Sequence, residues 1–495
     1  MQVKTQADDL QNYLTDSSHM QGGHADKLFI PSSVDELSQV LKEADISKMA
    51  VTISGARTGT VGGAIPFGGC VISLERLNNI KEVNKAAKAI TAEAGVILGD
   101  LQKAVEAKGL FYPPDPTEWS CQIGGNVATN ASGARSFLYG STRRWVNEIR
   151  VVLAHGDFLH LVRGEHQFEN GEVVLESNHR KYTIVKPTYD RPLVSKNASG
   201  YFAADQMDPI DLFIGSEGTL GVIVEARLRL LLKPEGFLTG IVFFCSIEDL
   251  LAFVDKAREI SFENRSARES LTPINATLLE YFDCQSLRLI SEKFPDIPKG
   301  AAGAVFFEQE TTSANEEELL GHWHDLFEKH HADLDHSWFA TSDDDRARMR
   351  KFRHALPIAC NERYSRYGFK KVSTDMAVPV DRFRSLLRFY EDILSGSGID
   401  YVLFGHIGDC HLHANLFPKK ESEVERSRHI YGRCVAQALM LGGTVSAEHG
   451  IGKLKRKYLS AMMGERYLNE MASIKRTLDP NGVLGRGNIF DESYL

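Results

Sequence analysis

Residues 50–63 read AVTISGARTGTVGG, a β-prone run that stops at a glycine and opens into a loop of small residues. Glycines at 55, 59, 62 and 63 let backbone N–H groups turn inward, as a chain does when it cradles a pyrophosphate. The loop does not open a helix as G-x-G-x-x-G, so a Rossmann dinucleotide unit fits it poorly. Glycine-rich turns are also commonly structural, and this stretch alone does not choose between the two. Upstream, PSSVDELSQVLKEAD (31–45) starts as a helix should. Ser33 and Glu36 form an S-x-x-E capping box, and Val34, Leu37, Val40 and Leu41 recur at helical spacing. Downstream to about residue 233, glycine alternates with short β-type runs (CVISLE, AITAEAG, IRVVLAHGD, DLFIGSEGTLGVIVEARLRLLL). That texture predicts an α+β region with many tight turns.

The 495 residues suffice for two or three domains, and 43% apolar with 25% charged residues is ordinary for a globular chain. Lys plus Arg number 57 against 66 Asp plus Glu, and a net charge of −9 argues against nucleic acid as the main partner. The basic run of Lys453, Lys455, Arg456 and Lys457 reads as a local solvated face. The N-terminus has neither a basic-then-apolar nor an Arg-rich amphipathic pattern, so no leader is expected. No apolar run approaches the roughly 18–20 residues that cross a bilayer. Seven scattered cysteines without a CxxC pair read as the reduced thiols of a cytosolic protein and exclude an iron–sulfur cluster.

Three further segments extend the glycine-loop pattern. PPDPT (113–117) is a rigid turn, GGNVATNASG (124–133) a second small-residue loop, and GSEGTLGVI (215–223) a third. In this order, from about Phe29 to Leu232, they resemble the FAD-binding domain of the vanillyl-alcohol oxidase superfamily. The resemblance implies that Ser54, Gly55, Ala56, Arg57, Thr58, Gly59 and Thr60 hold the pyrophosphate. It places Gly124, Gly125, Thr129, Asn130 and Gly133 by the flavin, adds Asp115 to the cofactor contacts, and puts Glu217, Gly221 and Ile223 toward the adenine. Relatives read G-G-G-T-G where this chain has Gly55-Ala56-Arg57-Thr58-Gly59; Arg57 either helps bind the pyrophosphate or points outward. Members that tether flavin here often carry histidine where Thr58 stands, so non-covalent FAD is expected.

Past Lys233-Pro234-Glu235-Gly236 the texture changes. GFLTGIVFFCS reads as a strand and IEDLLAFVDKAREI as an amphipathic helix; EEELLGHWHDLFEKHHADL (316–334) and RFRSLLRFYEDILSG (382–396) read as helices. The final GERYLNEMASIKRTLDPNGVLGRGNIF reads as a helix and a Pro/Gly turn. Glycine returns in FGHIGDCHLHANL (404–416) and GGTVSAEHGIG (442–452). After Gly408, CHLHANLF alternates as a strand, which puts His411, His413 and Asn415 on one face. With His406 and Glu448 they could form a divalent-metal site, or the histidines could be hydrogen-bonding core residues; spacing leaves both readings open.

These two segments are similar to the C-terminal signature of FAD-linked D-2-hydroxy-acid oxidoreductases, a family that includes D-lactate dehydrogenases, glycolate oxidases and D-2-hydroxyglutarate dehydrogenases. The similarity spans nearly the whole chain. It implies that His406, His413 and Glu448 ligate zinc or a similar metal, that Asn415 contacts substrate, and that His449 is the catalytic base and touches substrate. Arg353 sits where relatives carry an arginine for the substrate carboxylate, a planar anion that suits guanidinium; a helix-surface charge is its bland alternative. The segment KKVSTDMAVPVD, with Thr374, Asp375 and Pro379, resembles the stretch before the substrate-domain helix. The implied reaction oxidises a small D-lactate-like 2-hydroxy acid to the 2-oxo acid, with hydride passing to flavin N5.

The implied architecture is α+β. It comprises an FAD-binding domain (1–233), a substrate- and metal-binding cap with an antiparallel sheet (234–455), and a C-terminal helical segment returning to the FAD domain (456–495). Three departures bear on substrate and cofactor. Gly408-Asp409-Cys410-His411-Leu412-His413 replaces G-D-G-N-L-H, so His411 could add a ligand, contact substrate or simply pack. Ser373 stands where D-2-hydroxyglutarate enzymes carry a lysine, which weakens a dicarboxylate assignment. Gly485-Arg486-Gly487-Asn488 replaces the usual N-P-G-K. The rivals are a D-2-hydroxyglutarate or glycolate dehydrogenase, a non-redox flavoenzyme like alkylglycerone-phosphate synthase, and a metal hydrolase. The expected partner is an electron acceptor (quinone, cytochrome or electron-transfer protein). The expected setting is cytoplasmic, at most peripheral at the inner face of a membrane, and compatible with a homodimer.

Overall fold

The computed structural model describes residues 1–266, 273–369 and 372–495, so Lys370 and Lys371 of the KKVSTD segment lie outside the described residues. The opening AVTISG run forms strand Val51–Ser54, paired in parallel with Cys70–Ser73, which in turn pairs in parallel with Lys27–Ile30. Gln2–Lys4 adds antiparallel at the edge. Parallel neighbours need a crossover, and helix Val34–Ser47 supplies one, burying Leu37, Val40, Leu41 and Ala44. Ser33 Oγ accepts from the Glu36 N–H at 3.2 Å, a cap worth about 1 kcal/mol. The reciprocal half of the expected capping box is absent. Glu36 instead accepts from the Ser32 N–H and the Met1 ammonium, which reach it first.

A second, five-stranded antiparallel sheet runs Ile80–Asn84, Ala89–Glu93, Val222–Arg229, Val146–Val152, Phe158–Val162. The third sheet is antiparallel and built from eight strands, led by Ala332–Phe339, Gly236–Phe244, Gly303–Thr311, Leu278–Asp283, Asp400–Gly405 and His411–Phe417. Two short strands, Val372–Ser373 and Met376–Ala377, both pair with His411–Phe417. Helices Ile247–Ser266 and Glu316–Lys329 pack on this sheet, Phe253 against Phe244 and Trp323 and Phe327 against Phe307. Trp323 is fully buried and its indole N–H donates to Gln309 Oε1 at 3.0 Å, so its polar tip is satisfied as burial requires.

The helix expected over 316–334 ends at Lys329. Residues Ala332–Leu334 belong to the strand Ala332–Phe339, because pairing of Phe243 and Phe244 with Asp333 and Ala332 outweighs the helical period. The C-terminal helix Arg456–Leu478 breaks its helical angles at Gly464, whose φ is +71°. The chain beyond it lies against the first sheet, with the Val51 N–H donating to Val483 O and the Gly485 N–H to Val51 O. No described helix is long and apolar enough to cross a membrane, and no disulfide joins the described cysteines.

Candidate active site

The loop after strand Val51–Ser54 borders a cavity of about 410 Å3. Gly55, Ala56, Arg57, Thr58, Gly59 and Thr60 line it, together with Gly124, Gly125, Thr129, Glu217, Gly221 and Ile223. A Cβ added at Gly59 or Gly125 would meet nothing within 4 Å, so both positions open directly onto the space an extended cofactor would fill. Gly124 is glycine for a different reason: a Cβ there would stand 2.5 Å from Ala94 Cβ. Four of the expected contacts do not line the cavity. Ser54 is buried and bonds Arg57; Asp115 accepts from the Trp119 indole; Asn130 caps a helix at φ +50° and accepts from the Arg143 N–H; Gly133 packs on Asp115 O.

Arg57 resolves neither purely inward nor outward. It takes a left-handed φ of +60°, and its guanidinium folds back onto Ser54 Oγ (3.2 Å) and Gly55 O (3.1 Å), 4.6 Å above the Tyr13 ring. The same backbone logic recurs at Cys410, with φ +55°. Both residues stand where the family pattern has glycine, and both occupy the backbone region glycine would take without strain.

A second cavity of about 180 Å3 adjoins the first, the two sharing Thr117, Glu448 and His449. Arg353, His354, Pro357 and Cys360 reach it from helix Asp343–Tyr367, Ser373 from its short strand, and His413 and Asn415 from His411–Phe417. His406, at the end of strand Asp400–Gly405, and the Glu448-His449 turn close it. The alternation read from CHLHANLF therefore does deliver His413 and Asn415 to one wall. Asn415 is almost fully buried and its Oδ1 has no hydrogen-bond partner among the described residues.

Ligand atoms of His406, His411, His413 and Glu448 all lie within 4.8 Å of one another. His406 Nδ1 stands 2.5 Å from Glu280 Oε1, and His413 Nδ1 stands 2.9 Å from Thr374 O. That leaves both Nε2 atoms facing Glu448 Oε2, at 3.2 Å and 3.7 Å. An imidazole fixed by an oxygen acceptor on one nitrogen and free on the other is what a metal-ligating histidine needs. The donor set, nitrogen with one carboxylate, suits a divalent ion such as zinc. Burial pushes the Glu448 carboxyl up, but His406 and Lys196 outweigh it and hold the group well below its usual range.

His449 is roughly three-quarters buried, stacked on His413 with ring centroids 5.3 Å apart, its Nδ1 3.5 Å from Asp375 Oδ2. Burial carries its pKa down to about 3, so the imidazole is neutral. Arg353 lies in the cavity wall rather than on an open helix surface, its Nε donating to Glu280 Oε2 at 3.2 Å.

Two family models match the chain, an FAD-binding domain over residues 25–162 and the C-terminal domain of FAD-linked oxidases over 248–489. A D-lactate dehydrogenase of Anaerostipes hadrus is 30% identical over 463 residues, 92% of this chain and 88% of that one. The chain belongs to the FAD-linked D-2-hydroxy-acid dehydrogenase family. The glycolate oxidase subunit GlcD of Bacillus subtilis is 28% identical over 490 residues (97% and 92% of the two chains). A D-2-hydroxyglutarate dehydrogenase of Xanthomonas citri pv. viticola is 29% identical over 504 residues (99% and 94%). The solved p-cresol methylhydroxylase structure with substrate bound superposes with a TM-score of 0.72 at 14% identity, covering 99% of this chain and 94% of that one, which shows a shared fold. This chain is an FAD-dependent oxidoreductase of α+β architecture.

Four residues of this oxidoreductase escaped the sequence reading. Glu280, from strand Leu278–Asp283, joins His406 to Arg353; burial raises its carboxyl, but those two partners bring it down to about 2. Lys196 arrives from the chain after strand Lys181–Val185, buried, with Nζ 2.6 Å from Glu448 Oε1, 3.2 Å from Asp409 Oδ2 and 2.8 Å from Gly133 O. Lys455 is not part of a solvated basic face: it is buried 2.5 Å from Asp375 Oδ2. Asp375 also accepts from Ser446 Oγ (2.6 Å) and from the N–H groups of Glu448 (3.2 Å) and His449 (3.1 Å). Each of these contacts joins residues far apart in the chain, so no local pattern announces it. Glu217 lines the flavin cavity, yet its carboxylate is spent on the Ile451 and Gly452 N–H groups at 2.7 Å and 2.6 Å, and burial carries it up to about 7.

Proposed function

We propose that this enzyme oxidises a short D-2-hydroxy monocarboxylate of the D-lactate type to its 2-oxo acid and passes the electrons on to a separate acceptor. The observation that carries the reading is the meeting of the two cavities at His449. The smaller one holds a guanidinium, an unpartnered amide oxygen and the ligand cluster, and the larger one is bordered by the glycine loops. Among the described residues lining the smaller cavity, Arg353 is the one Lys or Arg. A single guanidinium matches one carboxylate, and with Ser373 in the same lining the described residues there offer no second Lys or Arg for a dicarboxylate.

Arg353 binds the substrate carboxylate through the guanidinium nitrogens that Glu280 leaves free. Asn415, whose amide lines the same cavity, contacts the substrate. The neutral His449 takes the hydroxyl proton as the α-hydrogen leaves with its electron pair. FAD, bound without a covalent tether beside Thr58, supplies the two-electron acceptor for that hydride. A divalent ion on His406, His413 and Glu448, zinc by donor type, supplies Lewis-acid polarisation of the hydroxyl. Residues 1–233 form the flavin-binding unit, 234–455 the cap and 456–495 the returning tail.

The test is anaerobic mixing with D- and L-2-hydroxy acids while flavin bleaching is followed. D-lactate and its short homologues reduce the flavin, while L-isomers and D-2-hydroxyglutarate do so poorly. His449→Ala slows reduction by about 10²–10⁴-fold with metal and flavin content kept. Preference for the dicarboxylate, or reduction of the variant's flavin at the wild-type rate, defeats the reading.

A further inference from the structure

His411 stands where the family pattern carries an amide. Its side chain is completely buried, and neither ring nitrogen makes a hydrogen bond of good geometry among the described residues. A buried polar group left without a partner costs about 1–3 kcal/mol, so an imidazole here needs something to bind. Its Nε2 lies 3.1 Å from Asp375 Oδ1, with Asp375 itself anchored by Lys455 and Ser446. The ring centroid is 4.5 Å from that of His413 and 5.3 Å from that of His406. One ligand atom of His411 falls within 4.8 Å of those of His406, His413 and Glu448.

His406 and His413 each have one nitrogen hydrogen-bonded to an oxygen acceptor, Glu280 and Thr374 O, while His411 Nε2 lies against Asp375 Oδ1 without that geometry. Each then has its other nitrogen to offer. We propose that His411 is a fourth protein ligand, so that the ion is held by His406, His411, His413 and Glu448 together. This rests on the metal reading above and adds to it.

Three imidazoles and a carboxylate fill a tetrahedral zinc sphere. With four protein ligands the ion would have no vacant fourth place for a substrate oxygen. The donor set favours zinc and its late first-row neighbours over magnesium, calcium or manganese, which prefer oxygen. Asp375 becomes the outer partner of a ligating histidine and, through the His449 N–H, of the base as well.

The test uses flavin-loaded enzyme with zinc bound, in wild type and in His411→Asn and His411→Gln. Zinc X-ray absorption fine structure counts imidazoles, and competition with a chromophoric chelator gives the dissociation constant. The expected result is three imidazoles in the wild type, two in the variants, and affinity lower by about 10²-fold or more, at or beyond the loss an outer partner causes. The wild-type count needs no variant to fold. A wild-type count of two, or variants that bind zinc as tightly as wild type, overturns the fourth ligand and leaves the His406, His413 and Glu448 site standing. Wild-type enzyme that retains no zinc overturns both.

Discussion

Glu280→Gln separates a site built by mutual orientation from one built by proximity alone. The glutamate uses its two oxygens on two different donors, His406 Nδ1 at 2.5 Å and Arg353 Nε at 3.2 Å. Glutamine keeps the shape but has one oxygen and one NH2, so it can satisfy only one of the two. If the NH2 faces His406, the imidazole must accept on Nδ1 and carry its proton on Nε2, the nitrogen aimed at Glu448, which then cannot ligate. If it faces Arg353, a buried guanidinium loses its partner and its alignment. Losing the outer partner of a ligating histidine costs about 10–100-fold in metal affinity, or ~1.4–2.7 kcal/mol. An unpaired buried donor costs about 1–3 kcal/mol, which corresponds to a rise in KM of roughly 5- to 150-fold. Chelator competition on flavin-loaded protein measures the first, and anaerobic flavin reduction against substrate concentration the second. Flavin content is unchanged, because Glu280 lines only the smaller cavity. Wild-type metal affinity together with a wild-type KM would show that Glu280 orients neither partner.

Arg353→Lys keeps the charge but loses the two-pronged geometry, so KM rises while flavin content holds; an unchanged KM, read from the same reduction assay, removes Arg353 from the substrate site. Acid or heat releases the flavin from the denatured chain, since Thr58 offers no imidazole for a tether; yellow precipitate that keeps its colour after washing contradicts this. Asp211→Asn leaves the half-buried Arg143 without its charge partner and costs about 1–3 kcal/mol in denaturant titrations. Burial raises the Asp211 carboxyl, but Arg163 and Arg143 outweigh it and the group ends below its usual value. With its folded pKa depressed, its contribution is complete above about pH 4 and fades as pH falls through the folded value. The acid limb of the wild-type stability curve is therefore steeper than the variant's.

What the sequence disclosed and what it hid follow one physical line. Strand alternation is local, so HLHAN already placed His413 and Asn415 on a common face. Glycine loops are local too, and Gly59 and Gly125 open onto the cavity as expected. Lys455 was misread because a Lys-rich run looks solvated when its partner, Asp375, is eighty residues away. Glu280 and Lys196 sit in stretches with no pattern at all, and only the crossing of separate strands and loops brings them to His406 and Glu448. Glu217 lines the cavity, but its carboxylate is used on a backbone turn more than 230 residues later. A motif reports which atoms could react. The partners that orient those atoms are tertiary, and a single sequence carries no trace of them.

Glu448 and His449 are consecutive, and that adjacency ties the proposed ligand to the proposed base. The turn that carries them is fastened from both halves. Asp375 holds the Glu448 and His449 N–H groups from the cap side, while Lys196 and Ser132 take Glu448 Oε1 and Glu217 takes the Ile451 and Gly452 N–H groups from the flavin side. The fit leaves no room for side chains. A Cβ on Gly450 would stand 2.8 Å from Glu217 Oε1, and one on Gly452, whose φ is +48°, would stand 2.2 Å from Val61 O, in the chain just past the flavin-side glycine loop. The distance between this turn and the loop lining the larger cavity is thus set at Gly452 by backbone in contact with backbone. Such a contact cannot be tuned by rotamers, so the position of His449 relative to that loop is fixed by the fold.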